Sequence, residues 1–319
     1  MSRILLLRLS SMGDVIHTLP AVSDLARARP GTTVDWVVEE GFAELPRLHP
    51  AVGEVLPIAL RRWRKSPLNA HTRSEFADFR SRLQSSRYDL VLDIQGLLKS
   101  AVVGKLAHGP MAGYDRHSIR EPLASLLYRQ RHAVGRHLHA VERSRQLMAA
   151  AVGYAPGGPL DYGLRVPAFT PDWLPQQPYA VLLTATSRAD KEWAEANWIA
   201  LGQQLAERGI ASVLPWGSAA ERERAERLAA AIPAACAAPR LGLGDAAGLL
   251  AGSRIVVGVD TGLAHLAAAV AAPVVAIFCA SDPIKTGVLA DSYAVNLGQH
   301  GAAPDVATVW QAVTAGMRP

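Results

Sequence analysis

Two short segments, one in each half of the chain, constrain the fold more than anything else in it. In the first, the apolar run Ile4-Leu5-Leu6-Leu7 gives way to Ser10-Ser11-Met12-Gly13, with Asp14 where the turn meets a helical pattern. The second runs Ile255-Val256-Val257-Gly258-Val259 into Asp260-Thr261-Gly262-Leu263-Ala264-His265. Each reads as a strand buried on both faces, a tight turn and a helix start, the unit from which parallel sheets are built. In such sheets ligands bind outside the carboxyl ends of the strands. A carboxylate there can accept a proton from a substrate, and a helix start with small residues suits a phosphate. The two segments predict two nucleotide-type folds facing each other across a cleft.

The rest of the chain supports that plan. Strands are predicted at Ile4–Arg8, Thr33–Val38, Val55–Pro57 and Leu90–Asp93, and again at Tyr179–Thr184, Ser212–Pro215, Ile255–Val259 and Val274–Phe278. Helical patterns alternate with them at Val15–Arg27, Arg73–Gln84, Leu97–Leu106 and Arg136–Val152, then at Glu195–Arg208, Ala219–Ala231, Gly262–Val270 and Pro304–Ala315. Alternation of this kind means right-handed βαβ units. A Gly/Pro cluster, Gly153 to Pro159, reads as the linker, giving domains at 1–158 and 159–319. With 319 residues, two domains are the default.

Composition bounds the partners. The net charge of +5 and pI near 9.4 favour an anionic partner, and nearly all the excess lies in the first half. Aromatic–basic interleaving of the RNA-binding type is missing, so nucleic acid is not expected. Cys236 and Cys279 lack metal-type spacing and read as small buried hydrophobes in a reducing compartment. No secretion signal is read, since Ile4 to Leu7 is short and Arg8 interrupts it. The apolar run Leu263 to Ala280 is read as a helix ending near Ala271 followed by a strand, not as a membrane span.

Each candidate site has a plainer reading beside it. Asp14 could cap its helix, or act as a base beside Gly13, which lets the backbone approach a ligand. Thr186, Ser187 and Lys191 follow a strand and could hold a diphosphate, or form a solvated loop. Asp260 or Thr261 could cap a helix whose free N–H groups meet an anion, with Gly262 allowing close approach and His265 supporting the loop. The basic segment Arg61-Arg62-Trp63-Arg64-Lys65 and the set from Arg116 to Arg143 could bind an acidic, membrane-associated acceptor, or be solvated faces. His132, His137 and His139 lack the companions of a metal site.

Taken in order, the motifs closely resemble the lipopolysaccharide heptosyltransferases of glycosyltransferase family 9, in particular those that add the first heptose to Kdo. The resemblance rests on Ser10 to Pro20, Asp35 to Glu40, Arg61 to Lys65, Asp93 to Ser100, Arg120 to Ser125, His139 to Arg143, Lys191-Glu192-Trp193 and Gly258 to His265. It implies a GT-B fold of two Rossmann-like α/β domains, acceptor-binding first and donor-binding second, with the final helix, about 304–315, packing back on the first. It implies ADP-L-glycero-β-D-manno-heptose as donor, Kdo₂–lipid A as acceptor and inversion at the sugar carbon. Asp14 matches the family's base and Lys191 its phosphate ligand. Thr186, Ser187, Glu221, Leu241, Asp260, Thr261, Gly262, Leu263 and His265 fall at donor positions. Glu221 matches a ribose ligand, and Leu241 stands near the adenine where some members have methionine. Ser10, Gly13, Arg61, Arg64, Lys65, Arg120 and Arg143 are expected on the acceptor side. No cofactor or resident metal is implied, with Mg²⁺ as a candidate stimulant. The expected location is cytoplasmic, peripheral on the inner membrane. Two other activities share the architecture: a heptosyltransferase acting on a later heptose, and a sugar-nucleotide epimerase.

Overall fold

The computed structural model describes residues 2–186 and 188–317. It divides into two compact units, Met1–Arg165 and Val166–Pro319. The first contains β1 (Arg3–Leu7), α1 (Met12–Ile16), α2 (Leu19–Ala28), β2 (Thr33–Glu39), α3 (Glu44–Arg47), β3 (Val52–Ile58), α4 (Leu60–Trp63) and α5 (Ala70–Gln84). It continues with β4 (Leu90–Asp93), α6 (Leu98–Gly104), β5 (Met111–Tyr114), a 3₁₀ segment at Pro122–Leu127, β6 (Gln130–His132) and α7 (Ala140–Val152). The second contains β7 (Tyr179–Leu183), α8 (Glu195–Glu207), β8 (Ala211–Leu214), α9 (Ala219–Ala231), β9 (Ala235–Ala237) and α10 (Leu243–Ala251). It ends with β10 (Ile255–Val259), α11 (Gly262–Ala269), β11 (Val274–Phe278), β12 (Ala294–Gly298) and α12 (Val306–Gly316).

Each unit is a doubly wound α/β sheet. The six strands of the first run in the order β3-β2-β1-β4-β5-β6, those of the second β12-β11-β10-β7-β8-β9. Every ladder is parallel. The winding reverses between β1 and β4 and between β7 and β10. The carboxyl ends of those four strands are therefore the ligand positions of the two sheets. Leu5, Leu6 and Leu7 on β1 are wholly buried, each stabilising the sheet by about 1.5–3 kcal/mol. On the second sheet Trp193 and Trp198 meet edge to face at 5.0 Å, in a core shared with Leu182, Val257 and Ile277.

Several expectations are corrected. The helix expected over Val15–Arg27 is two helices, broken at His17-Thr18, because Pro20 enters the first turn of α2 and proline cannot continue a helix from upstream. The helix expected from Arg136 begins at Ala140, where the His139 ring accepts from Val141 N–H. The chain divides at Arg165 rather than 158 because the intervening residues are tied to the first unit. Arg27 bonds the Pro159 carbonyl and Asp161, and Arg165 N–H donates to Leu48 O. The last helix lays Val309 and Val313 into the core of the second unit, while the Tyr293 hydroxyl donates to the Ala312 carbonyl. Helix α11 and strand β11 replace the apolar run in the manner expected, and among the described residues no helix is long and apolar enough to cross a membrane.

Candidate functional site

In the first unit Asp14 lies in the first turn of α1, partly exposed, just past the carboxyl end of β1. It is not the helix cap. Ser11 holds that position, and the Ser11 backbone N–H and hydroxyl both donate to Asp14 Oδ2, at 2.9 and 3.0 Å. This capping box fixes the carboxylate in direction. Thr18 closes the turn from below, donating to the Asp14 carbonyl and accepting from Arg8 Nε at 3.1 Å. Ser10 and Gly13, expected on the acceptor side, flank the acid and are partly exposed.

A second set, not anticipated from the sequence, joins the two strands at the winding reversal. Gln95 Oε1 accepts from Leu9 N–H at 2.7 Å, tying the loop after β4 to the loop after β1. Asp93 lies wholly buried below it and accepts from Gln95 N–H, Gly96 N–H, Ser100 Oγ and Tyr128 Oη. Burial pushes its carboxyl above the usual carboxylate range, against those hydrogen bonds and the nearby Arg8 charge. In the sequence, Asp93 to Ser100 stood as one stretch of the family resemblance, with no role read for Asp93 or Gln95. The partners of Asp93 lie up to 35 residues away.

The basic residues divide into those that build and those that remain presented. Arg62 pairs with Glu40 and Glu75, and Trp63 Nε1 donates to Glu75, whose carboxyl is held down to about 2 by the Arg62 and Trp63 hydrogen bonds. That anchoring leaves Arg61, Arg64 and Lys65 exposed. Arg61 lies over the Phe42 ring at 5.6 Å, and Arg64 borders a pocket of about 230 Å³ with Trp63 and Phe76. Arg120 is exposed. Arg143 is partly committed to the scaffold: it donates to the Ser118 carbonyl at 2.6 Å and lies over Tyr114 at 4.8 Å.

In the second unit three residues from two loops, Thr186 and Lys191 after β7 and Ser281 after β11, converge on Asp260, at the end of β10. Lys191 Nζ and Ser281 Oγ both donate to its Oδ2, at 2.6 and 2.7 Å, and Thr186 Oγ1 donates to its backbone carbonyl at 3.0 Å. Burial opposes ionisation of Asp260, yet the bonds from Lys191 and Ser281 hold its carboxyl below the usual range. Ser281 had no recognisable signal in the sequence. Thr261 is the cap residue of α11, in extended backbone, and Gly262 and Leu263 form the partly exposed first turn. First-turn N–H groups lack helical partners, so this end favours an anion. His265 is buried one turn in and is the smallest of the influences favouring ionised Asp260.

Two residues expected on the donor side stand apart from that cluster. Glu221 Oε2 accepts from Gly217 and Ser218 N–H in the capping box of α9. Leu241 is partly exposed just before α10. Ser187 lies outside the described residues. Among the described residues no group of three or more His, Cys, Asp or Glu side chains is placed to hold a metal ion.

Comparison with known proteins points one way. The family model of glycosyltransferase family 9 (heptosyltransferase) matches residues 76–312. Lipopolysaccharide heptosyltransferase 1 of Pseudomonas aeruginosa is 52% identical over 301 residues, covering 93% of this chain and 83% of that protein. Among solved structures, Escherichia coli heptosyltransferase WaaC with ADP superposes with a TM-score of 0.92 at 41% identity, covering 98% of this chain and 99% of that one. The same E. coli enzyme with ADP-2-deoxy-2-fluoro heptose gives 0.86, with the same identity and coverage.

Proposed function

The chain belongs to glycosyltransferase family 9, the heptosyltransferases, and from that membership we propose how its two units divide one reaction. It has the GT-B architecture and is a glycosyltransferase that moves heptose in lipopolysaccharide inner-core biosynthesis. The donor is a nucleotide heptose, read here as ADP-L-glycero-β-D-manno-heptose, and the acceptor is read as the first Kdo of Kdo₂–lipid A. The observation that carries the reading is the Lys191–Asp260–Ser281 cluster beside the α11 N-terminus. It stands at the winding reversal of the second sheet, in a chain 41% identical to a heptosyltransferase solved with ADP.

The chemistry follows from those parts. Asp14 takes the proton of the acceptor hydroxyl. Its Oδ2 is already shared by two donors, so Oδ1 is the more basic oxygen. The acceptor oxygen attacks the anomeric carbon as the bond to the diphosphate breaks, and ADP leaves with the electron pair. One front-side bond lost and one back-side bond gained gives inversion. Negative charge grows on the departing phosphate, where Lys191 and the α11 N-terminus stabilise it. The ammonium has three N–H donors. Asp260 takes one and directs the others. Glu221 and Leu241 are assigned to the ribose and adenine, and Arg61, Arg64, Lys65, Arg120 and Arg143 to the acidic acceptor. No resident metal is needed in this scheme, Mg²⁺ serving at most as a diphosphate counter-ion. The acceptor's lipid places the enzyme peripherally on the cytoplasmic face of the inner membrane.

The test is incubation with ADP-heptose and Kdo₂–lipid A, followed by mass spectrometry. One added heptose is expected. Turnover only with an acceptor already bearing heptose would favour the later-acting transferase. Donor consumed to a free altered sugar without acceptor would favour the epimerase.

A further inference from the structure

Six of the eight large hydrophobic side chains exposed among the described residues lie in the first unit, and four of them sit on two elements that pack together. Helix α6 turns Leu98 and Val102 outward, at 43% and 50% exposure, while its Ser100 and Ala101 are wholly buried. The 3₁₀ segment Pro122–Leu127 repeats the inversion. Leu123 and Leu126 are 67% and 68% exposed over buried Ala124 and Ser125. Spacings of four in an α-helix and three in a 3₁₀ helix put each pair on one face. Small residues inside and leucines outside is the reverse of a water-facing element, and contiguous exposure of this kind marks a surface with a partner.

The surrounding charge says which partner. Residues 98–131 carry six Lys or Arg against two acids. Both acids are occupied by backbone: Glu121 accepts from Leu98 N–H, and Asp115 from His117 and Ser118 N–H. Lys99, Lys105, Arg120 and Arg129 stay exposed. Exposed apolar side chains with exposed cations within three residues of each complement an anionic lipid surface, where the former enter the acyl boundary and the latter meet headgroups. The face also stands at the functional edge of the sheet. Helix α6 follows β4 directly, Glu121 N–H donates to the Gly96 carbonyl, and neighbouring Gln95 bonds the loop that leads to Asp14.

We propose that Leu98, Val102, Leu123 and Leu126, with the lysines and arginines around them, form a docking face for an anionic phospholipid bilayer, which holds a membrane-anchored acceptor beside Asp14. The second clause rests on the lipid-linked acceptor of the preceding section; the first does not.

The experiment is co-sedimentation of the full chain with vesicles of phosphatidylethanolamine and phosphatidylglycerol containing no acceptor. Wild type is expected to pellet. The double substitution Leu123→Glu/Leu126→Glu is expected to lower the partition coefficient roughly tenfold or more. Ile284→Glu, an exposed residue of the second unit, is expected to leave it unchanged. Leu98→Gln/Val102→Gln is the second variant should the first fail to fold by circular dichroism. With a deacylated, water-soluble acceptor both double variants should turn over like wild type. Wild type that stays in the supernatant, variants that pellet as wild type does, or a dimer that the leucine variant converts to monomer would each overturn the docking face. Absence of heptose transfer by wild type, with vesicle binding intact, would instead overturn the functional reading and leave the docking face standing.

Discussion

In the proposed reaction Asp14 and Lys191 carry opposite halves, and single substitutions separate them. Asp14→Asn keeps an oxygen for the Ser11 donors but removes the basic site. It should reduce kcat by roughly two to four orders of magnitude, the usual range for general-base loss, with ADP affinity unchanged by calorimetry. Retained turnover would remove Asp14 from the role of base. Lys191→Ala should act the other way, weakening ADP about tenfold or more through loss of a charge-assisted contact and leaving acceptor KM in place. Equal ADP affinities would mean that Lys191 serves only to neutralise Asp260. Both residues were legible in the sequence because each follows a recognisable strand. Ser281 carried no signal, and Gln95 stood inside a stretch of resemblance without a role: their partners, Asp260 and Leu9, stand 21 and 86 residues away, and no local pattern encodes a contact made only after the sheet is wound.

Among the elements, legibility followed burial chemistry. β1, β4, β10 and β11 are made mostly of Leu, Val and Ile and are buried at every position except Arg3, and such runs announce themselves. β5, β6 and β9 read Met-Ala-Gly-Tyr, Gln-Arg-His and Ala-Cys-Ala. They are three or four residues long and lack β-branched side chains, so register against a neighbour makes them strands. The segment Gly153 to Pro159 looked like linker from its Gly and Pro, yet the residues just after it are held by a buried histidine after α3. His49 Nε2 pairs with Ser23 Oγ on α2, its Nδ1 accepts from Ala51 N–H, and Gly163 packs on the ring. Burial lowers its pKa to about 4, with Asp161 pulling up and Arg165 down. The folded chain thus keeps His49 neutral where the unfolded chain, near 6.5, binds a proton. Stability contributed by this residue is complete above pH 6.5 and is lost as pH falls toward 4, by about 3 kcal/mol in all. The unfolding temperature of the first unit should therefore drop between pH 7 and pH 5 more in wild type than in His49→Asn. Equal drops would assign the acid sensitivity to other groups.

Across the whole molecule charge is divided as sharply as chemistry. Residues 1–165 hold 23 Lys or Arg against 15 Asp or Glu, a net of +8, while residues 166–319 hold 10 against 13, a net of −3. The overall +5 thus conceals a basic unit assigned to the acidic acceptor and a mildly acidic one assigned to the nucleotide. The two substrates should consequently respond differently to salt. On the proposed division, acceptor capture draws on a field spread over the first unit, which is screened beyond about 10 Å at 0.1 M ionic strength. The donor, on the same division, is met by direct contacts such as Lys191, which lies in a small, partly buried site and is screened less. Raising ionic strength should therefore increase acceptor KM several-fold and move donor KM little, and the triple substitution Arg61→Ala/Arg64→Ala/Lys65→Ala should flatten the acceptor response. Steady-state kinetics at a series of salt concentrations, with a soluble deacylated acceptor to remove any contribution from vesicles, decides it. Parallel shifts in both constants would show that the positive unit serves solubility rather than substrate capture. A donor shift larger than the acceptor shift would mean that the two units have been given each other's substrates.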